Sequence, residues 1–216
     1  MRMPSKMTDD HNLNILCVDG GSMLYPWRGE FTVGSIDSQI AIDTLSSKLD
    51  FPPESVAIWG QHKTENLGIE KIVANVVSNP NIRYLLLCGQ EVRGHRSGQS
   101  LKSLHANGID PEGRIIGATG AVPYIENIPP EAVARFREQV ELIDMIGQTD
   151  EATLQKKIAE LSSVRKEPFG EPMVMEFAER EKSVQMKSLS GKVSLHKDLL
   201  VDPYLEIGDM KMEAQT

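Results

Sequence analysis

Between residues 55 and 163 the apolar positions of this chain change period several times, and each change marks an element. "SVAIWG" (Ser55–Gly60) is a short apolar run stopped by glycine, as in a buried strand. In "QHKTENLGIEKIVANVVSNP", Ile69, Ile72, Val73, Val76 and Val77 fall at i, i+3, i+4, i+7 and i+8, the stripe of an amphipathic helix. Thr64 can cap its start, and Pro80 follows its end. "IRYLLLC" (Ile82–Cys88) is apolar on both alternating sets of positions, which predicts a central parallel strand. "GQSLKSLHANG" predicts a shorter helix closed by Gly108. "RIIGATGAVPY" predicts another strand, Arg114–Ala118, followed by a loop. "NIPPEAVARFREQVELIDMIG" predicts the longest helix, with Val133, Phe136, Val140 and Ile143 on one face and Pro130 in the first turn. "TDEATLQKKIAELSS" adds a helix that turns Leu154, Ile158 and Leu161 inward.

Strand, loop and helix in alternation predict an α/β fold: a Rossmann-like, mostly parallel sheet flanked by helices, with right-handed crossovers. The expected organisation is an N-terminal segment (1–24), a Rossmann-like domain (25–165) and a C-terminal extension (166–216). In the extension, "EPMVMEFAE" and "KVSLHKDLLVDPYLEIGD" suggest short strands or a polar tail. A net charge of -8 argues against nucleic acid or an anionic membrane surface as partner. Cys17 and Cys88 stand far apart among apolar neighbours, which predicts buried free thiols in a reducing compartment. No secretory signal core is present, and no apolar run approaches the ~20 residues needed to span a bilayer. The expectation is a soluble, cytoplasmic protein.

In open α/β sheets, ligands bind beyond the carboxyl ends of the strands. Three loops leave such ends: Gly60–Asn66, Gly89–Ser100 and Gly117–Asn127, all rich in glycine and small polar residues. Neither a G-x-G-x-x-G after a strand nor a Walker A sequence supports a nucleotide, and no G-x-S-x-G supports serine hydrolysis. The histidines form no chelating pair: His95 and His105 are ten apart, and His62 lies in another loop. His95, between Gly94 and Arg96, suits a single axial ligand to a metal whose other ligands come from a macrocycle, haem or cobamide. The bland reading is a solvated loop histidine. "HRSG" keeps the His-x-x-Gly half of the Asp-x-His-x-x-Gly corrinoid motif, with Arg93 at the Asp position. His105, inside a helix pattern, reads as packing, and Met173 and Met175 read as gap-fillers.

Taken together, the loops resemble a known family. "KTENLGIEKIVANVVSNPNIRYLLLCGQEVRGHRSGQSLKSLHANGID" and "RIIGATGAVPYIENIPPEAVARFREQVELIDMI" are similar to the A subunit of tetrahydromethanopterin S-methyltransferase, through its KTENLGIEK, SNPNIR, GHxxGQS, LHxNG and GAxGAxPYxEN blocks. "YPWRGEFTVG" upstream fits the family's entry into the fold, and the resemblance covers roughly residues 25–150. It implies a small Rossmann-like corrinoid carrier whose cobamide takes a methyl group from methyl-tetrahydromethanopterin onto Co(I) and passes it to coenzyme M, within a sodium-pumping membrane complex.

The histidine of the GHxxGQ block is the family's lower axial cobalt ligand, here His95, the residue with the catalytic and metal-binding role. The three loops give the implied cofactor-binding set: Thr64, Glu65, Asn66, Gly68, Gly89, Gln90, Glu91, Gly94, His95, Gly98, Gln99, Ser100, Gly117, Thr119, Gly120, Pro123 and Tyr124. A ligating imidazole is oriented through its second nitrogen, and Glu65 is favoured over Glu91 for that task. Membrane-bound family members end in a transmembrane helix that is not seen here, so the expectation is a soluble homologue, at most peripheral to a membrane complex. Partner methyltransferase subunits, a methyl-pterin donor and coenzyme M or another acceptor follow from the resemblance. A non-catalytic cobamide storage, delivery or regulatory protein is the competing reading.

Overall fold

A computed structural model describes residues 16–17, 23–176, 184–188, 191–195, 199–201 and 207–209. The chain divides after Glu176 into two units. In the first, a two-residue ladder joins β1 (Leu16–Cys17) to β2 (Met23–Leu24). Its main sheet comprises β3 (Phe31–Val33), β4 (Ile40–Asp43), β5 (Ile58–Gly60), β6 (Tyr84–Leu87) and β7 (Glu141–Asp144). The order is β3-β5-β4-β6-β7, parallel throughout except where the edge strand β3 runs against β5. This is the α/β, mostly parallel sheet that the sequence pattern predicts.

Four helices flank it: α1 (Leu67–Ser78), α2 (Ser97–Asn107), α3 (Pro130–Gln139) and α4 (Glu151–Ser163). Alternating strand residues bury both faces. Ile40, Ile42, Trp59, Tyr84 and Leu86 join Leu154, Ile158 and Leu161 of α4 in one core. On the other face α1 lies over Ala41, Ile58 and Leu85, α3 packs against α1, and α2 against α3.

The central strand β4 is not among the predicted elements, and two predicted elements take another form. Arg114–Ala118 is not a strand: it makes only isolated bridges, Ile109 with Ile115 and Arg114 with Tyr124. Gly113 and Gly117, at φ +83° and +82°, turn the chain away at both ends before a ladder can grow. The long helix stops at Gln139, and Val140 is already extended. Ile143 therefore sits opposite Leu86 in the sheet, rather than on a helix face beside Phe136. Buried Gln139 fixes this switch, its amide nitrogen pointing at the carbonyls of Val76 (3.0 Å), Asn79 (2.9 Å) and Ile82 (3.1 Å).

The packed unit continues past the expected boundary at 165. Phe169 N–H donates to Pro80 O and Met173 N–H to Val77 O, and the Arg83 and Arg135 guanidiniums lie over the Phe169 ring. In the second unit β8 (Val184–Ser188) pairs with β9 (Gly191–Leu195), and β10 (Leu199–Val201) with β11 (Ile207–Asp209), both antiparallel. Cys88 is buried and free, whereas the Cys17 side chain lies outside the described residues. Among the described residues no helix is long and apolar enough to cross a membrane.

Candidate functional site

The site forms where β4, β5 and β6 end. At the exit of β6, Gly89 has φ +79°, and a Cβ there would lie 2.2 Å from Thr44 O, so only glycine turns the chain this tightly. Glu91 then closes the loop on itself. Its carboxylate accepts from the N–H groups of Val92 (2.8 Å), Gly98 (3.0 Å) and Gln99 (3.0 Å). It thus satisfies the free amides at the start of α2, where negative charge also favours the helix dipole. The residue in the N-cap position is Arg96, left-handed at φ 49° and without a capping side chain. His95 sits just before it, with its side chain 53% exposed.

The loop after β5 holds the partner of His95. His62 is buried, with Nδ1 2.9 Å from Asp43 Oδ2 and Nε2 2.7 Å from Thr64 O. Both ring nitrogens meet acceptors, an arrangement that favours the doubly protonated ring. Burial pushes its pKa down, but the charge and hydrogen bond of Asp43 and the Thr64 carbonyl outweigh this and raise it. Thr64 Oγ1 accepts from Gly68 N–H at 2.9 Å, so it does cap the start of α1, although Asn66 holds the N-cap position. Held between these, Glu65 is 1% exposed.

Glu65 Oε1 accepts from Val122 N–H at 2.8 Å, and Oε2 lies 2.7 Å from His95 Nδ1. No well-directed hydrogen bond reaches Oε2, nor the buried hydroxyl of Ser100. Burial opposes ionisation of Glu65, yet the Val122 N–H, its own N–H and His95 together hold its carboxyl below the usual value.

The third loop locks onto the other two. Gln99 Oε1 accepts from the Thr119 N–H (2.9 Å) and hydroxyl (3.1 Å), and Gln99 Nε2 donates to Gly117 O (3.0 Å). Arg96 also reaches the Thr119 hydroxyl, at 3.2 Å. Gly120 meshes all three loops: a Cβ there would lie 2.5 Å from His95 O, 3.0 Å from Glu65 Cγ and 3.1 Å from Ser100 Oγ.

The structure thus brings Glu65, His95, Gln99, Ser100, Gly117, Thr119 and Gly120 together, with open space beside Gly94. Other members of the expected set have different contacts. Gly68 packs on the His62 ring, Gly98 fits between Glu91, Leu45 and Ile146, and Gln90 bonds Ser47 and Gly147. Asn66 O accepts from Glu70 N–H, buried Pro123 accepts from Ile115 N–H, and Tyr124 lies under the Arg114 guanidinium. Glu91 is a helix cap rather than a partner of His95. His105 packs edge-on against Phe136, and its Nε2 bonds Val140 O.

Three contributors escape the sequence reading. Asp43 ends the unpredicted strand β4, and His62 shows only as a residue lacking a chelating mate. Buried Glu70 accepts from Glu126 N–H, Asn127 N–H and Asn127 Nδ2, tying the third loop to α1. Its one trace in the sequence is a carboxylate at a helix position expected to be apolar or exposed. Among the described residues no three His, Cys, Asp or Glu side chains gather into a metal-ligand group, so His95 could serve a metal only as a lone protein ligand.

Residues 23–185 match the family model of the A subunit of tetrahydromethanopterin S-methyltransferase. In Methanosarcina barkeri, the A subunit of the putative methyltransferase Mtx is 45% identical over 81% of this chain and 88% of its own length. Its counterpart in Methanosarcina acetivorans is 46% identical over 82% and 89%. In Methanothermobacter marburgensis, the second of two numbered A subunits of tetrahydromethanopterin S-methyltransferase is 55% identical over 61% of this chain and 73% of its own. With most of its length matched, the chain belongs to the family of tetrahydromethanopterin S-methyltransferase A subunits.

Proposed function

We propose that this methyltransferase subunit is a corrinoid-binding methyl carrier, with His95 as the lower axial ligand of a cobamide, a methyl-pterin as donor, and coenzyme M or another thiol as acceptor. The observation that carries the reading is the asymmetry of the His95 ring. Nδ1 is held against a buried carboxylate, while Nε2 engages no protein group among the described residues. That is how a ligating imidazole is prepared, with one nitrogen fixed as N–H and the other left with its lone pair outward.

The surrounding residues fit such a group. Glu65 Oε2 is buried with His95 Nδ1 as its neighbour, Ser100 Oγ is buried without a hydrogen-bond partner, and the space next to Gly94 is open. Exposed Val122, whose N–H bonds Glu65, gives this face apolar surface. A bound cobamide would supply the cobalt that accepts and releases the methyl group. The chain's own part is to hold the imidazole in place. The Val122 N–H keeps Glu65 ionised, Glu65 orients Nδ1 and increases the donor strength of Nε2, and Glu91 fixes the loop that carries the ring. Partner subunits deliver and remove the methyl group, and the expected setting is the cytoplasm.

Hydroxocobalamin added to the cofactor-free protein tests this by absorbance. Wild type is expected to give a complex in which a protein histidine replaces the cofactor's own base, and His95→Ala to give none. Glu65→Gln should weaken that coordination by about tenfold or more and change its pH dependence. Failure of the wild type to bind would overturn the reading. Binding without methylation by any methyl-pterin, even with partner subunits present, would make the chain a store or delivery protein instead.

A further inference from the structure

A second candidate site shares the Gly60–Asn66 loop with this chemistry but neither of the other two loops: no residue between Gly89 and Tyr124 lines it. It is a cavity of 320 Å³ between the sheet and α1. Ala41, Ile58 and Leu85 form its floor, and Leu67, Ile72 and Val76 of α1 form its roof. Its volume falls at the lower end of the ~300–1,000 Å³ typical of small-molecule sites.

The polar groups on its wall are nearly all committed. His62 spends both ring nitrogens, and Asp43 accepts from Leu45 N–H and His62. Asn75 is tied by both ends of its amide to the Trp27 backbone, and Lys63 stands 3.6 Å from Glu30. Lys71 is the exception. It is half-buried on the lining, and its ammonium has no partner among the described residues. The wall thus combines apolar surface with one unspent cation.

We propose that this cavity binds a small apolar carboxylate, its hydrocarbon body between sheet and α1 and its anion on Lys71. Phosphate esters fit poorly. At the α1 N-terminus Gly68 N–H already donates to Thr64 Oγ1, and the lining offers no cluster of free donors to satisfy three further oxygens. A neutral ligand would leave the ammonium unpaired. The site shares Thr64 with the loop that presents Glu65 and Gly68 with the first turn of α1, which puts a small-molecule input next to the proposed carrier face.

The test uses 2-naphthoate as probe and calorimetric titration of the full-length protein. Saturable binding at one site per chain is expected. Lys71→Met should weaken 2-naphthoate by about tenfold while leaving the neutral analogue 2-naphthol unaffected. Ile72→Trp should fill the cavity and abolish binding of both, with Leu67→Trp as substitute if that variant does not melt like wild type. The proposal is overturned by absence of saturable binding, by full affinity in the filled variant, or by equal affinity for 2-naphthoate in wild type and Lys71→Met.

Discussion

Two histidines leave strands on either side of β4 in the same sheet and finish in opposite circumstances. His62, just past β5, is buried, and both its nitrogens are spent on Asp43 and Thr64. His95, past β6, is half exposed with one nitrogen against a carboxylate and the other open. Each has an acidic partner, so a neighbouring carboxylate does not by itself mark a functional histidine. What separates the two rings is the unspent nitrogen, on which the proposed function rests. A ring whose two nitrogens both face acceptors favours the cation and is held structurally, whereas one with a nitrogen left unpaired is available to a ligand.

If that distinction holds, stability and ligand binding separate between the two positions. His62→Ala strands Asp43 as a buried, unpaired charge and should cost about 3–5 kcal/mol in urea unfolding. Glu91→Ala, which removes the cap of α2 but bonds neither ring, should cost about 1–2 kcal/mol by the same measurement. pH sharpens the contrast further. Because the folded pKa of His62 is raised, its contribution is complete below its unfolded value of about 6.5 and is lost as pH rises through the folded value. Unfolding free energy should therefore decline above about pH 6.5, by at most ~1.4 kcal/mol per pH unit for this one proton, and His62→Asn should lack that component. The smallest effect belongs to His95→Ala, which leaves buried Glu65 its Val122 hydrogen bond and should cost about 1 kcal/mol while removing the proposed axial ligand. Comparable destabilisation at both histidines would break the comparison.

The sequence discloses these regions unequally, for physical reasons. Helices α1, α2 and α4 are readable because each keeps an apolar stripe against a polar face, and β6 because it is buried on both sides. Strand β4 is not, since only Ile40–Asp43 form it, too few residues to establish a period. Strand β7 is hidden because Val133, Phe136, Val140 and Ile143 stay in helical phase across the point where the backbone becomes extended. The position of His95 on a glycine-bounded loop can be read directly, and Glu65 can be favoured as its partner because loops leaving the same end of a sheet gather there, even though β4 separates their strands. The His62–Asp43 pair cannot, because one member lies on the strand that escapes notice and a hydrogen bond between distant positions leaves no periodic trace.

Gln139 also bears on how the chain is assembled as it is made. The carbonyls that it meets belong to Val76 and Asn79 at the end of α1 and to Ile82 on the way into β6. Synthesis delivers those carbonyls well before their donor, so a nascent chain stopped short of residue 139 holds three acceptors without their amide at a place that the finished fold buries. Val76 O and Asn79 O already accept from Asn79 N–H and Ile82 N–H, so the late amide adds a second donor to a helix end that is closed locally. The added donor ties α3 to the α1–β6 turn, and ribosome-bound fragments ending on either side of Gln139 should differ in resistance to protease.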